Sequence, residues 1–423
     1  MMSMQKKTVS LNVAIVLGSI LFTSTAALAG TYTVTDGSDT SGLGTLRDAL
    51  ASGDEVIEIT VPLNEIFAPL VYDGLGPLEI IGGGQTISGG EFTLFEVTMG
   101  ADLTISNLDF EGPGCYDVDH QGGGKGIFVE VPLEREGLVS LILTDVMVSG
   151  VGDHGVHVSD CDLEGCGAGG GGGGDGSAAS VYARLESVTI AGVGYGGFDA
   201  DGFRVDERGE GDILLEAIDS VFMNVGADGV ELDEGDNGNV IVDVRGSDFI
   251  GNGGYCNLGF ADNHPCFEED GPGNPDLDDG FDIDEAGNGN IIVAMEAVSV
   301  DDNLDEGLDF DEEGQGNVIM DLVGVAADNN GDETIKVDEE DKGSINAHLS
   351  EVSVINGGDD GIQLESADAG QLHAQMRDIT ATYNKKFGVK LIADKGWLKL
   401  SGENDLSPNT DGDYDLDGGV VLK

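Results

Sequence analysis

Basic residues are scarce in this sequence. Only 18 Lys and Arg stand against 81 Asp and Glu in 423 residues, which gives a formal net charge of −63. Nucleic acids and anionic membrane surfaces both require a cationic footprint on the protein, so this balance excludes them as direct partners. The charge points instead to cations as partners, or to a setting of high salt.

Cysteine is also sparse, with five residues in the whole chain. The thiols are scattered and lack histidine partners at ligand spacing, which argues against a zinc site. Two pairs fall within insertions, so we expect disulfides between Cys161 and Cys166 and between Cys256 and Cys266. Cys115 is left over, and either a different pairing or a free thiol remains open.

Long apolar runs are limited to the first 29 residues. Lys6 and Lys7 precede an apolar run from Val13 to Phe22, and Ala27-Leu28-Ala29 then offers small residues for cleavage before Gly30. This order predicts a signal peptide at 1–29. No later run has the length of a membrane span, and no cysteine follows the signal to accept a lipid. We therefore expect an exported protein, extracellular, at the cell surface or periplasmic, with no transmembrane segment in the mature chain.

The sequence is rich in a repeated acidic segment. An acidic residue opens each unit, mostly followed by glycine, and two neighbouring places later in the segment are acidic. The units open at Asp201, Asp228, Asp279, Glu306, Glu333 and Asp360. These openings are 27, 51, 27, 27 and 27 residues apart, and the value of 51 is one period plus 24 inserted residues. A fixed period of this size is typical of a solenoid.

The apolar places within each unit define short strands. Apolar residues alternate at the third and fifth places and again at the thirteenth, fifteenth and seventeenth, which predicts strands with one buried face. Glycine recurs at the eleventh place, and asparagine recurs at the twenty-fifth place, where stacked amides can bond one another. We predict an all-β protein, a right-handed parallel β-helix of about 27 residues per coil.

One continuous solenoid is the simplest account of the mature chain, 30–423. We assign an N-terminal cap to 30–55, with a short capping helix in Thr45 to Leu50. Regular coils cover about 201–400 and carry an insertion at 253–278. An acidic tail at 404–423 is the candidate cover of the other end.

Three further segments carry a resemblance to known proteins. They run from Gly44 to Leu50, from Gly82 to Gly89 and from Leu103 to Leu108. This opening resembles that of secreted right-handed β-helix proteins of the pectin-lyase-like superfamily, of the adhesin and surface-protein type. The resemblance implies a fold for nearly the whole mature chain, but it implies no particular chemistry.

The sixth and seventh places form a double acidic column if the coils stack. Like charges about 4 Å apart repel by roughly 1 kcal/mol in water and about 4 kcal/mol at a surface-like dielectric. Since no matching basic column exists, we expect a divalent counter-ion, and calcium suits a set of hard oxygen ligands. The alternative is that the acids extend into solvent and attract only diffuse monovalent ions. The candidate ligands are Asp206, Glu207, Asp233, Glu234, Asp284, Glu285, Asp311, Glu312, Asp338, Glu339 and Glu365.

A second calcium signal lies near the C-terminus. Asp413, Asp415 and Asp417 occupy the first, third and fifth places of a segment with Gly418 at the sixth. This spacing matches the front of an EF-hand-like loop, but the chain ends before the twelfth place, so the cage would be incomplete. The alternative is a solvated acidic tail.

Enzymatic function is the other possibility for the repeated face. The fourth places project outward and include Arg204 and Lys336, each of which could act as base in a calcium-assisted lyase. Both residues also have a simpler explanation as charge partners of the acids. We therefore name no catalytic residue beyond these two candidates.

Three functions remain open from the sequence. The first is an exported surface protein that binds divalent cations along the acidic columns in a binding, adhesion or structural role, with a polysaccharide or cell-surface molecule as a further ligand. The second is a calcium-dependent lyase or epimerase acting on acidic polysaccharide. The third is adaptation to high salt, which would spread acids over every exposed place rather than concentrate them at two.

Overall fold

The chain winds into a parallel β-helix whose described part begins at Gly30. In this computed structural model, the described residues are 30–161, 176–267, 271, 273–367 and 370–423. The predicted signal peptide at 1–29 lies outside these ranges, as does Cys166 of one expected disulfide. The described residues form strands that all belong to one hydrogen-bonded sheet, and the named strand pairs are parallel.

The N-terminal coils contain strands of unequal length and a single helix. Their elements are β1 (Thr31–Val34), α1 (Leu46–Leu50), β2 (Val56–Ile59), β3 (Leu70–Tyr72), β4 (Leu78–Ser88), β5 (Phe95–Val97), β6 (Leu103–Glu111), β7 (Ile127–Glu130), β8 (Glu136–Thr144), β9 (Met147–Ser149), β10 (Val156–Ser159), β11 (Ala178–Glu186) and β12 (Thr189–Ala191).

The regular coils follow, each with three strands. Their strands are β13 (Phe203–Glu207), β14 (Ile213–Ile218), β15 (Val221–Met223), β16 (Val230–Glu234), β17 (Val240–Arg245), β18 (Asp248–Ile250), β19 (Phe281–Glu285), β20 (Ile291–Glu296), β21 (Ser299–Asp301), β22 (Leu308–Glu312), β23 (Val318–Val323), β24 (Ala326–Asp328), β25 (Ile335–Glu339), β26 (Ser344–Ser350), β27 (Ser353–Ile355), β28 (Ile362–Ser366), β29 (Gln371–Arg377) and β30 (Thr380–Thr382). Two long strands, β31 (Phe387–Ser401) and β32 (Gly412–Leu422), complete the chain.

Residues at the same place of successive units stack directly on one another. Phe203 pairs with Val230, and Val230 pairs with Phe281 across the 24-residue insertion. The inserted residues therefore leave the register of the stack unchanged. The predicted fold, a parallel β-helix with coils of 27 residues, is confirmed.

The core of the rod is built from the apolar places that the repeat predicts. The third and fifth places are fully buried, as at Phe281 and Ile283, and so are the thirteenth, fifteenth and seventeenth places of the Asp228 coil. Phe222 and Phe249 stack with ring centroids 5.1 Å apart. Burial of each large side chain contributes about 1.5–3 kcal/mol, so the column of apolar residues supplies most of the stabilisation.

The twenty-fifth place carries the predicted asparagine ladder. Asn252 Nδ2 donates to Asn303 Oδ1 at 2.9 Å, and Asn303 Nδ2 donates to Asn330 Oδ1 at 3.0 Å. The same oxygens accept the backbone N–H of the preceding asparagine. Asn384 makes the equivalent bond to Asn409 in the last coils. These amides satisfy one another inside the corner, which confirms their structural role.

The helix α1 closes the N-terminal end, as predicted. Thr45 is its N-cap and accepts a hydrogen bond from the backbone N–H of Asp48, while Leu46, Ala49 and Leu50 are buried against the first coils. An apolar helix face thus covers the open core of the first turn.

The C-terminal segment differs from the prediction. Residues 412–422 form β32, which pairs in parallel with β31, so the acidic tail is a further strand of the solenoid. Leu416 packs on the core because Tyr414, Leu416 and their acidic neighbours alternate with the period of a strand. Carboxylates along this terminal edge discourage pairing with another chain.

The insertion after β18 carries a disulfide. Cys256 and Cys266 are bonded, with their Cα atoms 5.4 Å apart, which confirms this predicted pair. Cys115 is an exposed free thiol. Among the described residues, no helix is long and apolar enough to cross a membrane.

Candidate functional site

The two acidic columns predicted from the sequence lie in different environments. The sixth places face outward from the first strand of each coil, whereas the seventh places turn into the corner that follows. The five seventh-place glutamates are fully buried: Glu207, Glu234, Glu285, Glu312 and Glu339. The expectation of one double column on a common face is therefore wrong, because alternation along the strand directs neighbouring side chains to opposite sides.

Backbone amides, rather than a cation, contact the buried glutamates. Glu285 Oε1 accepts the N–H of Gly289 at 2.8 Å, and Glu312 Oε1 accepts the N–H of Gly316 at 2.7 Å. The equivalent bond recurs in each of the five coils. None of these glutamates belongs to a described group with three ligand atoms within 4.8 Å of one another.

The corner glycine is required by this contact. A Cβ on Gly238 would lie 1.5 Å from the carbonyl oxygen of Gly211 in the coil below and 2.7 Å from Glu234 Oε1. The close approach of one coil's backbone to the next explains the glycine at the eleventh place.

Acids from four places of the unit share the outer face of the first strands, which we call the acidic face. The sixth, fourth and first places contribute, and so does the place just before the first. That last column, at 27-residue intervals, was missed by the sequence reasoning, although its spacing was visible. Its members are Asp278, Asp305, Asp332 and Asp359.

The acidic face brings carboxylates together in threes. In each group, one oxygen from every residue lies within 4.8 Å of the others. Asp284 is the only residue of the predicted double column among these groups of described residues; the first and fourth places supply most members. The groups are Asp199, Asp201 and Glu231; Glu231, Asp282 and Asp284; Asp279, Glu306 and Asp309; Glu306, Asp332 and Glu333; and Glu333, Asp359 and Asp360.

The central group consists of Asp279, Glu306 and Asp309. All three residues are at least nine-tenths buried, and Asp279 Oδ1 and Asp309 Oδ1 have no hydrogen-bond partner. Burial and the neighbouring carboxylates, Glu306 first, raise the pKa of Asp279 well above its ordinary value. Buried carboxylate oxygens without a donor are uncommon and require an explanation.

Protonation is the alternative to a counter-ion on this face. Burial followed by the charge of Asp309 raises the pKa of Asp311 to about 9, and burial with Glu306 raises that of Asp305 to about 8. The pKa of Asp284 rises to about 6 for the same reasons. In the absence of a cation, several of these carboxyl groups hold protons near neutral pH.

Arg204 neutralises the N-terminal part of the acidic face. Its side chain is 4% exposed and makes ion pairs with Asp206 at 2.9 Å, Asp201 at 3.1 Å and Glu231. Burial opposes the charge of Arg204, but the surrounding carboxylates, Glu231 first, outweigh it and raise the pKa. A guanidinium held in this way cannot act as a base, so Arg204 is a charge partner.

Lys336 has the same role farther along the rod. Its Nζ lies 2.6 Å from Asp309, 3.4 Å from Glu306 and 3.9 Å from Asp311. Burial lowers its pKa, but these carboxylates, Asp309 first, outweigh burial and raise the pKa overall. The ammonium group keeps its proton, which corrects the suggestion that Lys336 could serve as a general base.

A chain of hydrogen bonds at the N-terminal end of the face was not foreseen. Lys125 Nζ lies 2.5 Å from His157 Nδ1, and His157 Nε2 lies 2.6 Å from Asp206 Oδ2. Burial and the charge of Lys125 lower the pKa of His157 to about 3, so the ring is neutral. A lysine that donates to Nδ1 and an Nε2–H that donates to Asp206 satisfy all three groups.

The C-terminal aspartates do not form a calcium loop. Asp413, Asp415 and Asp417 alternate with Tyr414 and Leu416 along the extended strand β32. Carboxylates at alternate places of one strand are spread along its length rather than wrapped around a common centre. The prediction of an EF-hand-like conformation here is wrong, because pairing with β31 holds this segment straight.

Structural comparison shows the fold shared with other parallel β-helix proteins. The catalytic domain of a GH87 α-1,3-glucanase, in complex with tetrasaccharides, has a TM-score of 0.50 and 12% identity, covering 93% of this chain and 68% of that one. The periplasmic alginate epimerase AlgG, as a point mutant, has a TM-score of 0.43 and 12% identity, covering 93% and 84%. Tailspike protein 2 of the Escherichia coli bacteriophage CAB120 has a TM-score of 0.45 and 13% identity over 88% of this chain.

These neighbours establish the pectin-lyase-like parallel β-helix as the fold of this chain, and at such identities they establish nothing further. This chain spans 43% of the length of the tailspike. No family model and no curated protein matches the sequence.

Proposed function

We propose that this protein is an exported β-helix that binds calcium along its acidic face and serves a binding, adhesive or structural role outside the cell. The observation that carries the proposal is the central group, in which three buried carboxylates converge and two of their oxygens lack any hydrogen-bond partner. The proposal replaces the double column with ligands from the first and fourth places.

The chemistry of the central group fits calcium. Every candidate ligand is a carboxylate oxygen, and hard oxygen donors are those that calcium prefers. Calcium accepts six to eight oxygens in irregular geometry, so Asp279, Glu306 and Asp309 would hold it together with water or neighbouring carboxylates. Thiolate and imidazole ligands, which would favour zinc, are absent from all five described groups.

The charge balance of the middle coils supports the same conclusion. Arg204 and Lys336 face the two ends of this stretch and pair with acids there. Between them, within the described residues, Asp228, Asp278, Asp279 and Asp282 make no salt bridge, and burial raises the pKa of each. A bound divalent ion would allow these groups to ionise without mutual repulsion.

The test is a comparison of the mature protein with and without calcium. Protein stripped with a chelator is titrated with calcium by isothermal calorimetry, and thermal unfolding is followed at both extremes. At free calcium one hundred times Kd, one site adds about 2.7 kcal/mol to the free energy of unfolding, which raises the unfolding midpoint.

A double variant and a matched control locate the site. Asp279→Asn with Asp309→Asn should abolish the strongest calorimetric phase, whereas Asp262→Asn, which removes one exposed charge in the insertion, should leave it unchanged. Equal midpoints in excess chelator and in millimolar calcium would contradict the proposal. An increase that sodium reproduces at equal ionic strength would assign the effect to screening instead.

Catalysis on an acidic polysaccharide is the second candidate, and the Lys125–His157–Asp206 chain favours it. A lyase or epimerase must move a proton at a sugar carbon next to a carboxylate, and a neutral histidine between a lysine and an aspartate can take part in such a transfer. Incubation with a panel of polyuronates and calcium tests the idea. New unsaturated ends or inverted sugars that disappear in His157→Gln would support it, and no change with any substrate would exclude it for that panel.

A further inference from the structure

The buried seventh places form a second carboxyl array, separate from the acidic face. Glu207, Glu234, Glu285 and Glu312 stack in register at the end of the first strands, and Asp160 occupies the same place in the coil below. We call these five residues the carboxyl ladder. Each member is fully buried.

One oxygen of each glutamate is accounted for and the other is not. Oε1 accepts backbone N–H groups from the following corner, as at Gly238 and Gly289. Oε2 of all four glutamates is buried without a backbone, amide or basic donor. A carboxylate oxygen in that situation would carry an uncompensated charge, which is strongly unfavourable in an apolar interior.

The unpaired oxygens face one another instead. Carboxyl groups of neighbouring coils are within hydrogen-bonding reach at four contacts, from Asp160 to Glu207, from Glu207 to Glu234, from Glu234 to Glu285 and from Glu285 to Glu312. An ionised carboxylate only accepts hydrogen bonds, so each contact needs one proton. Four contacts among five groups thus require four protons and leave room for at most one negative charge.

The surroundings of the ladder offer no other neutralisation within the described residues. Above Glu312, Glu339 bonds instead to the hydroxyl of Ser366 at 2.9 Å, which ends the series. The guanidinium of Arg208, beside the first rung, is directed to Asp233 and Asp206 on the outer face.

The remaining neighbours of the ladder carry no compensating charge. On the second-strand side, the ladder meets the corner glycines and apolar residues such as Val240 and Ile291. On the corner itself, Asp236 contributes its backbone N–H to Glu234, and Asp341 lies beside Glu339, outside the series.

We propose that the carboxyl ladder is a column of shared protons that joins the central coils and that is lost in alkaline solution, which makes the rod an acid-stable, base-sensitive assembly. This device is independent of calcium, because it lies on the opposite side of the strand from the acidic face. Loss of the shared protons would place several like charges at neighbouring rungs without water or cations, and the coils from 207 to 312 would separate first.

The direction of the pH effect follows from linkage. Burial raises the pKa of Glu285 to about 7 and of Glu312 to about 8, and burial together with Asp160 raises that of Glu207 to about 11. The folded state therefore holds more protons than the unfolded state above the ordinary glutamate range, so stability decreases as pH rises through these values.

The test replaces one rung by its neutral analogue. Glu285→Gln keeps an amide that can donate and accept at the same place, but it cannot ionise. Unfolding by denaturant is measured from pH 5 to pH 9 in excess chelator for the wild type, for Glu285→Gln and for Glu296→Gln, an exposed position on β20. Below about pH 7, the unfolding constant of the wild type should rise by a further factor of ten per pH unit relative to Glu285→Gln, while Glu296→Gln should follow the wild type.

Two results would overturn the proposal. The first is a Glu285→Gln variant whose stability changes with pH in parallel with the wild type. The second applies even if that variant fails to fold: infrared spectra of the chelated wild type at pH 7 that show no carbonyl band of protonated carboxylic acids. Because both measurements exclude calcium, they fail or succeed separately from the cation-binding proposal.

Discussion

Replacing Asp279 by asparagine should have opposite effects on the calcium-free and calcium-loaded protein. Oxygens of Asp279, Glu306 and Asp309 lie within 4.8 Å of one another, and no described residue donates a hydrogen bond to the Asp279 carboxylate. At 4.8 Å, two unit charges repel by about 0.9 kcal/mol in water and about 3.5 kcal/mol at an effective dielectric of 20. The substitution removes two such pairs, so between about 2 and 7 kcal/mol is at stake.

The lower figure is the expected one, because carboxyl groups relieve repulsion by taking up protons. In excess chelator at pH 8, we expect Asp279→Asn to raise the free energy of unfolding by about 2 kcal/mol, a few degrees in the thermal midpoint. In calcium, loss of a ligand should weaken binding by at least about tenfold, or about 1.4 kcal/mol, so the increase caused by calcium shrinks. Thermal unfolding and calorimetry on the same samples measure both effects.

The control for this experiment is Asp262→Asn, which removes an exposed charge from the insertion and should change neither quantity. A less stable chelated Asp279→Asn protein would refute the repulsion argument, since it would show that the carboxylate is stabilising without a cation. A more stable variant that still binds calcium as tightly as the wild type would keep the repulsion argument but remove Asp279 from the site.

Three further outcomes follow from the same structure. Arg204→Gln should destabilise the protein by about 3–5 kcal/mol in denaturant titrations, because it leaves buried carboxylates unpaired, whereas Arg245→Gln, whose side chain is 55% exposed, should have little effect. Calcium binding near pH 7 should release protons from groups such as Asp311, whose pKa is raised to about 9, so calorimetric enthalpies should vary with the ionisation enthalpy of the buffer and calcium affinity should increase up to about pH 9; buffer-independent enthalpies would contradict this. Gly238→Ala should lower the thermal midpoint by several degrees through its clash with the carbonyl of the coil below, while Gly76→Ala, which has open space, should not.

Alternation of residues could have separated the two predicted acidic columns without a structure. Places three, five and seven of a strand share one side, so Glu285 belongs with Phe281 and Ile283 rather than with Asp284. The sequence reasoning treated neighbouring acids as one feature and missed this. The same period also marks the column that contains Asp278, whose spacing was visible but whose position was not used.

Other parts of the site depended on contacts between distant residues. Nothing in the local sequence indicates that Lys125 lies 2.5 Å from His157, because the two are 32 residues apart in coils of irregular length. The C-terminal aspartates show the opposite difficulty. Their local spacing suggested a loop, and only the pairing of β32 with β31 shows an extended strand.

The sequence by itself determined the repeat, the coil and the core, because stacking of identical units fixes which places are apolar, glycine or asparagine in every turn. The tertiary structure decided how the charges are distributed. Whether a carboxylate meets a guanidinium, a backbone amide or another carboxylate depends on how far each strand extends before it bends, and on which side of that bend the next coil lies. Those distances set the electrostatic energy, and composition and period do not contain them.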